Sequence, residues 1–240
     1  MRTRATLARL RAVGIAAAIG VALAVAVSGC STPAAAAKAT RHSEAPDIPV
    51  TASSPVVVAI GDSIMKGHGL PTDEAWPAII AKRNGWKLTN LACNGAGFAK
   101  IGDSSDCAEP FSGLIAEAAA LHPSILLISG SSNDLGFDDT TLSATTLADI
   151  KLLRSENPTA EIIGISTVWG DTLIPSQIDD INDQVRAAVD AVGGIYLDIG
   201  QPLAGHRDWL QSDDVHPTAK GQRVLAKVIS GALRSAKIIS

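Results

Sequence analysis

A serine placed at the end of an apolar run is the most suggestive residue in this chain. Val56-Val57-Val58-Ala59-Ile60 leads directly into Gly61-Asp62-Ser63-Ile64, and near the C-terminus stands Asp213-Asp214-Val215-His216. A serine hydroxyl is a weak nucleophile. It attacks an acyl carbon when an adjacent base takes its proton and a third group fixes the tautomer of that base and stabilises its cation. Ser63, His216 and Asp213 supply one residue of each kind. Each also has a plain structural alternative. A serine after a strand can cap the next helix, a histidine before Pro217 can simply open one, and Asp213 and Asp214 can be solvated acids. Their joint occurrence, in this order and at the ends of elements, favours chemistry.

The elements needed to bring these residues together are legible as alternating short apolar runs and longer amphipathic ones. Strands are expected at Val56–Ile60, Lys87–Ala92, Ser124–Ser129, Glu161–Thr167 and Ile195–Ile199. Helices are expected over Glu74–Arg83, near Phe111–Leu121, and over Leu142–Ser155, Ser176–Val192 and Pro217–Lys237. Asn157-Pro158 stops one helix and Gly193-Gly194 another. Ile178, Ile181, Val185 and Val189 recur on one helical face. Strands alternating with helices imply a parallel sheet covered on both faces. The ligand crevice of such a sheet lies beyond the carboxyl ends of its strands. Ser63 after the first strand, Gly95 after the second and Asn133 after the third fall there, and His216 precedes the last helix.

Four blocks in order make the chain resemble the SGNH hydrolase superfamily, the GDSL-like lipases and esterases. They are Gly61-Asp62-Ser63-Ile64, Asn90 with Gly95 five residues on, Asn133-Asp134, and Asp213-x-x-His216. The resemblance covers residues 55 to 237. It implies a three-layer α/β/α sandwich around a five-stranded, mainly parallel sheet of flavodoxin-like type. It also implies that Ser63 attacks the carbonyl, that His216 shuttles the proton and that Asp213 orients His216. The Ser63 and Gly95 N–H groups and the Asn133 side-chain amide would form the oxyanion hole. Serine stands at Ser131 where the family has glycine, with Gly130 one place earlier, which calls into question the shape of the loop bearing Asn133. Asp62 and Asp134 are expected to hydrogen-bond turn backbone. Of the other histidines, His68 is placed to line the pocket, His206 lies before Trp209, His42 lies in the tether and His122 at a helix end. Trp169 and Trp209 are candidate walls of the substrate site, with ordinary packing the plainer role.

Residues 1–29 read as a leader. Arg2, Arg4, Arg9 and Arg11 precede an unbroken apolar and glycine run from Ala12 to Val27. That run is shorter than the roughly 20 residues of a comfortable membrane span. Val27-Ser28-Gly29-Cys30 resembles the lipobox of bacterial lipoproteins, with Cys30 as the lipidated residue. Soluble secretion and an uncleaved anchor are the alternatives. Losing the leader removes four arginines and leaves 16 basic against 24 acidic residues, a formal net charge of −8. Residues 30–54 then read as a flexible tether of about 24 residues, spanning on the order of 25–30 Å, and residues 55–240 as the hydrolase domain. Cys93 and Cys107 remain as an even pair in an oxidising location. A disulfide there would contribute roughly 3 kcal/mol, and two free thiols are the alternative.

Composition closes other routes. A net charge of −4 for the whole chain advertises no nucleic-acid surface, and aromatics at 3 % do not suggest a stacked-ring carbohydrate module. No Cys/His cluster has metal-ligand spacing, so neither a metal nor an organic cofactor is expected. The expectation is a monomeric, lipid-anchored, extracytoplasmic serine esterase acting on short acyl esters, acetylated glycans or lipid esters through an acyl-enzyme. Acyl transfer by the same site and a non-catalytic surface binding protein are the alternatives.

Overall fold

Residue parity decides which layer of the molecule each inner strand builds. The computed structural model describes residues 53–240. The leader, Cys30 and most of the expected tether, His42 included, lie outside the described residues. The five strands are β1 (Val56–Ile60), β2 (Lys87–Asn90), β3 (Ile125–Ser129), β4 (Glu161–Ile165) and β5 (Ile195–Leu197). Val58, Ile60, Leu126, Ile128 and Ile162 pack into one buried cluster, and Val57, Ala59, Leu127, Ile163 and Ile165 into a second. This is the period of two expected of strands covered on both faces.

The helices divide between the clusters. α1 (Ser63–Lys66), α2 (Trp76–Asn84) and α6 (Ala219–Ser235) cover one face. α3 (Ile115–Ala120), α4 (Asp139–Glu156) and α5 (Gln177–Ala191) cover the other. Each presents an apolar stripe, such as Leu225, Ala226, Ile229 and Leu233 on α6. Fully burying one such side chain contributes about 1.5–3 kcal/mol. Among the described residues no helix is long and apolar enough to cross a membrane.

All strand pairs are parallel, in the order β2-β1-β3-β4-β5. The chain leaves β1 toward β2 on one side and returns to β3 on the other. Loops after β1 and β3 therefore diverge and open a crevice between them. That is the physical reason Ser63 and Asn133 face a common space.

Three strands stop earlier than the apolar runs suggest. In each case a polar side chain recruits the backbone away from the ladder. Asn90 Oδ1 accepts from Ala92 N at 3.1 Å, Asp198 Oδ1 accepts from Gly200 N at 2.9 Å, and Asn182 Oδ1 accepts from Thr167 N at 2.8 Å. α1 is an element absent from the sequence reading. Asp62 caps it, accepting from Ile64 N at 2.9 Å. The capping alternative for Ser63 is thus taken by its neighbour.

Two buried polar residues bear on the packing. Gln222 on α6 is fully buried. Its amide donates to Ile64 O and accepts from Trp76 N, both at 2.9 Å, and so ties the last helix to the segment following Ser63. Asp149 on α4 is a different case. It is buried, and its Oδ2 has no partner. Burial, reinforced by the charge of Asp134, pushes its carboxyl up to about 7. The folded protein therefore holds a proton there that the unfolded chain releases near pH 4. Stability falls as pH rises through that window and is lowest, for this group, above pH 7. Asp149→Asn is expected to raise the melting temperature at pH 8 by a few degrees, at about 2–4 °C per kcal/mol for this size. The gain should shrink at pH 5. Thermal melts at the two pH values read this, and an equal gain at both would contradict it.

Candidate active site

Ser63 is delivered by geometry rather than by side-chain reach. β1 ends at Ile60, Gly61 turns the chain, and Asp62 fixes the first turn of α1, leaving Ser63 at its first position. Its hydroxyl lies 2.9 Å from His216 Nε2. His216 Nδ1 lies 2.7 Å from Asp213 Oδ2. A carboxylate only accepts, so Nδ1 carries the hydrogen and Nε2 is free to accept from Ser63. This is the tautomer a general base requires.

Asp213 does more than face the imidazole. Its Oδ1 accepts from the backbone N–H of Val215 and of His216, each at 3.0 Å. The His216 hydrogen bond, followed by these amides, holds its carboxyl well below the ordinary carboxylate range. Asp214 between them adopts a left-handed conformation, φ +63°. It pairs with Arg207, and its N–H donates to Gln211 O at 3.2 Å. Gln211 closes the loop, donating N–H to His216 O at 2.7 Å. Its side-chain amide donates to Pro217 O at 3.0 Å and to His68 O at 2.7 Å. It thereby joins the histidine loop to the end of the nucleophile segment.

The expected oxyanion donors line the same cleft. Ser63, Gly95, Asn133 and His216, with His68, Asn94 and Asp103, border a space of about 170 Å³. Among the described residues, the Ser63 and Gly95 backbone N–H groups donate to no protein acceptor. Asn133 Nδ2 gives one hydrogen to Ala96 O at 3.0 Å, which fixes the amide and leaves its second N–H free. Gly95 has φ +73°, and a Cβ there would sit 2.7 Å from Asp103 Oδ1. Glycine is required at this position by backbone conformation and by its neighbour as well as by substrate approach.

The question raised by Ser131, standing where the family has glycine, is answered by its backbone and its hydroxyl. Its backbone is extended, φ −129°, so glycine is not needed. Its hydroxyl lies 2.9 Å from both Asp62 Oδ2 and Ala96 O and accepts from Asn133 N at 3.2 Å. One side chain thus ties the nucleophile turn, the Gly95 loop and the Asn133 turn together. Burial pushes the Asp62 carboxyl up against these hydrogen bonds. Asp134 is fully buried and accepts from Phe98 N, Ala99 N and Lys100 N at 2.8 to 3.1 Å. Both acids hold loops.

Cys93 and Cys107 form a disulfide. Inside the segment it closes, Asp106 Oδ2 accepts from Asn94 N at 2.8 Å and pairs with Lys66. Asp103 N donates to Asn94 O at 2.8 Å. The Gly95 turn is therefore bracketed from three directions.

Trp169 lines a second, smaller notch of about 40 Å³ with Val168, Ile64, Ser132 and Val215. The last three also border the main cleft. Trp209 stacks on His206 at 3.5 Å between ring centroids and lines neither space. His122 is an exposed turn residue with φ +49°. Sequence reasoning missed Gln211, Gln222 and Asp106. Gln222 carried a usable signal, being the long polar side chain on the mostly apolar stripe of α6. Gln211 and Asp106 lie in loops with no periodicity to mark them.

Comparison with known proteins shows the family and the fold. The GDSL-like lipase/acylhydrolase family model matches residues 59–224. GDSL lipase Rv0518 of Mycobacterium tuberculosis is 29 % identical over 189 residues, covering 72 % of this chain and 79 % of that protein. The fold resembles that of the psychrotrophic esterase EstA from Pseudoalteromonas sp., with a TM-score of 0.59 and 17 % identity over 76 % of this chain and 98 % of the other. It also resembles phospholipase A1 from Streptomyces albidoflavus NA297, with a TM-score of 0.56 and 19 % identity over 75 % and 100 %. The family match spans most of the chain and includes Ser63, Gly95, Asn133, Asp213 and His216, and on that ground the chain belongs to the GDSL-like lipase/acylhydrolase family, within the SGNH hydrolases, as a serine ester hydrolase.

Proposed function

We propose that this protein is a lipid-anchored, extracytoplasmic esterase that removes short acyl groups from small or polar alcohols. The observation carrying the chemistry is the continuous hydrogen-bonded chain from Ser63 through His216 to Asp213. Ser63 Oγ attacks the ester carbonyl as His216 Nε2 takes its proton. The Ser63 and Gly95 N–H groups and the free Asn133 N–H stabilise the oxyanion, on which charge develops only as the tetrahedral intermediate forms. His216 then protonates the departing alkoxide, leaving an acyl-Ser63. Water, deprotonated by His216, attacks that ester in turn and releases the acid and free Ser63.

The substrate reading rests on the walls. The notch beside the cleft is small, about 40 Å³, and sets Ile64, Val168, Trp169 and Val215 beside Thr172 and Asp214. Trp169 is fixed across it, with its backbone N–H on Gln201 Oε1 at 2.7 Å and its indole N–H on Thr172 Oγ1 at 3.0 Å. A rigid indole there leaves room for a short acyl chain. The other side of the cleft presents Asn94, Asp103 and His68, which suit a hydrogen-bonding alcohol. The anchor rests on Val27-Ser28-Gly29-Cys30 and the tether that follows it.

Three experiments test this. Ser63→Ala should abolish p-nitrophenyl acetate hydrolysis and fluorophosphonate labelling, and Asn133→Ala should lower kcat by about 10²–10³. Full activity in either folded variant would refute the assigned roles. Trp169→Ala should raise kcat/KM for p-nitrophenyl octanoate relative to the acetate by about tenfold, and an unchanged ratio would remove Trp169 from the acyl site. Metabolic labelling with a fatty-acid analogue should mark the protein and be lost in Cys30→Ala, and label surviving that change would exclude Cys30 as the attachment point.

A further inference from the structure

The imidazole of His216 is gripped at two atoms, Nδ1 by Asp213 and Nε2 by Ser63. Both bonds act at the edge of the ring and leave its faces uncontacted by either partner. A third contact, on the ring face, comes from His68. The two ring centroids lie 4.2 Å apart with their planes inclined by 31°. This is the spacing of rings in van der Waals contact, and it blocks rocking toward that side.

His68 is itself held, although it is exposed. Its Nδ1–H donates to Asn94 Oδ1 at 3.1 Å, and its carbonyl accepts from Gln211 Nε2 at 2.7 Å. Asn94 is fixed by Asp106, which pairs with Lys66, inside the segment closed by Cys93–Cys107. Gly67, with φ +80°, ends α1 and turns the chain toward this position. None of these contacts is needed to place Ser63, which Asp62 and β1 already fix.

We propose that His68 is a positioning residue for the catalytic base. Its ring face backs His216, and the hydrogen bond to Asn94 is a secondary restraint on that ring. The inference rests on the esterase reading for its kinetic consequence, while its structural core is the orientation of His216 alone. The phenyl ring of His68→Phe would keep that face and lose only the bond to Asn94.

The test uses the full-length protein with p-nitrophenyl acetate as probe, and circular dichroism and melting temperature to establish folding. His68→Ala is expected to lower kcat by about tenfold, the scale of a misplaced catalytic group, with KM changed by less than about twofold. His68→Phe should recover most of the loss. Independently of turnover, the low-field proton resonance of His216 Nδ1–H should broaden in His68→Ala and persist in His68→Phe. Wild-type kcat with an unchanged resonance in His68→Ala would overturn the proposal. A loss confined to KM would do so as well, making His68 a substrate contact, as would a His68→Phe variant as impaired as His68→Ala. Should the wild type fail to hydrolyse the ester, the esterase reading fails and the resonance still decides the role of His68.

Discussion

The 2.9 Å hydrogen bond between Ser63 and His216 joins residues 153 positions apart, and the rest of the structure makes sense as the means of keeping it. A hydrogen bond of this kind tolerates only a few tenths of an ångström before its strength falls steeply. No local element spans such a separation. The parallel sheet supplies the coarse placement by bringing the end of β1 and the approach to α6 to one edge. Two glutamines supply the fine placement. Gln222 locks α6 onto the backbone of Ile64 from within the core, and Gln211 locks the histidine loop onto His68 from the surface.

Environment divides the carboxylates of the site by task. Asp62 and Asp134 are buried, and desolvation works against their charge, so they are suited to holding backbone amides. Asp213 is nearly half exposed. Water and three donors keep it ionised, which is what the partner of an imidazolium must be. The buried acids lie close to the reacting atoms yet are poorly suited to that role. The half-exposed one is suited to it because its hydrogen bonds, rather than burial, define it.

Much of this was legible in the sequence, for reasons particular to each residue. The apolar runs marked β1, β3 and β4 because inner parallel strands buried on both faces leave a continuous hydrophobic signal, whereas β2 is a half-exposed edge strand with the sequence Lys87-Leu88-Thr89-Asn90. Ser63, Gly95, Asn133, Asp213 and His216 were singled out by four short blocks that resemble the family's motifs, and the topology brings them together. Strand ends were overrun where Asn90, Asn182 or Asp198 captured backbone, since a hydrogen bond between side chain and main chain leaves no period. The residue type at Ser131 left its effect on the loop open. Its hydroxyl, standing where the family has glycine, is the tie between three loops. The stacking of His68 on His216 depended on loop conformation, which no spacing rule supplies.

The two sides of the reaction centre are anchored with unequal firmness. Ser63 grows out of a strand with no solvent exposure over most of its length, whereas Asp213 and His216 ride on an exposed loop pinned by Gln211, by the Arg207–Asp214 pair and by one left-handed residue. Surface loops open at lower free energy than core strands. On warming, His216 is therefore expected to draw away from Ser63 while the sheet is still intact. Activity would then fade below the melt and return on cooling, with the intact sheet as the frame that recaptures the loop.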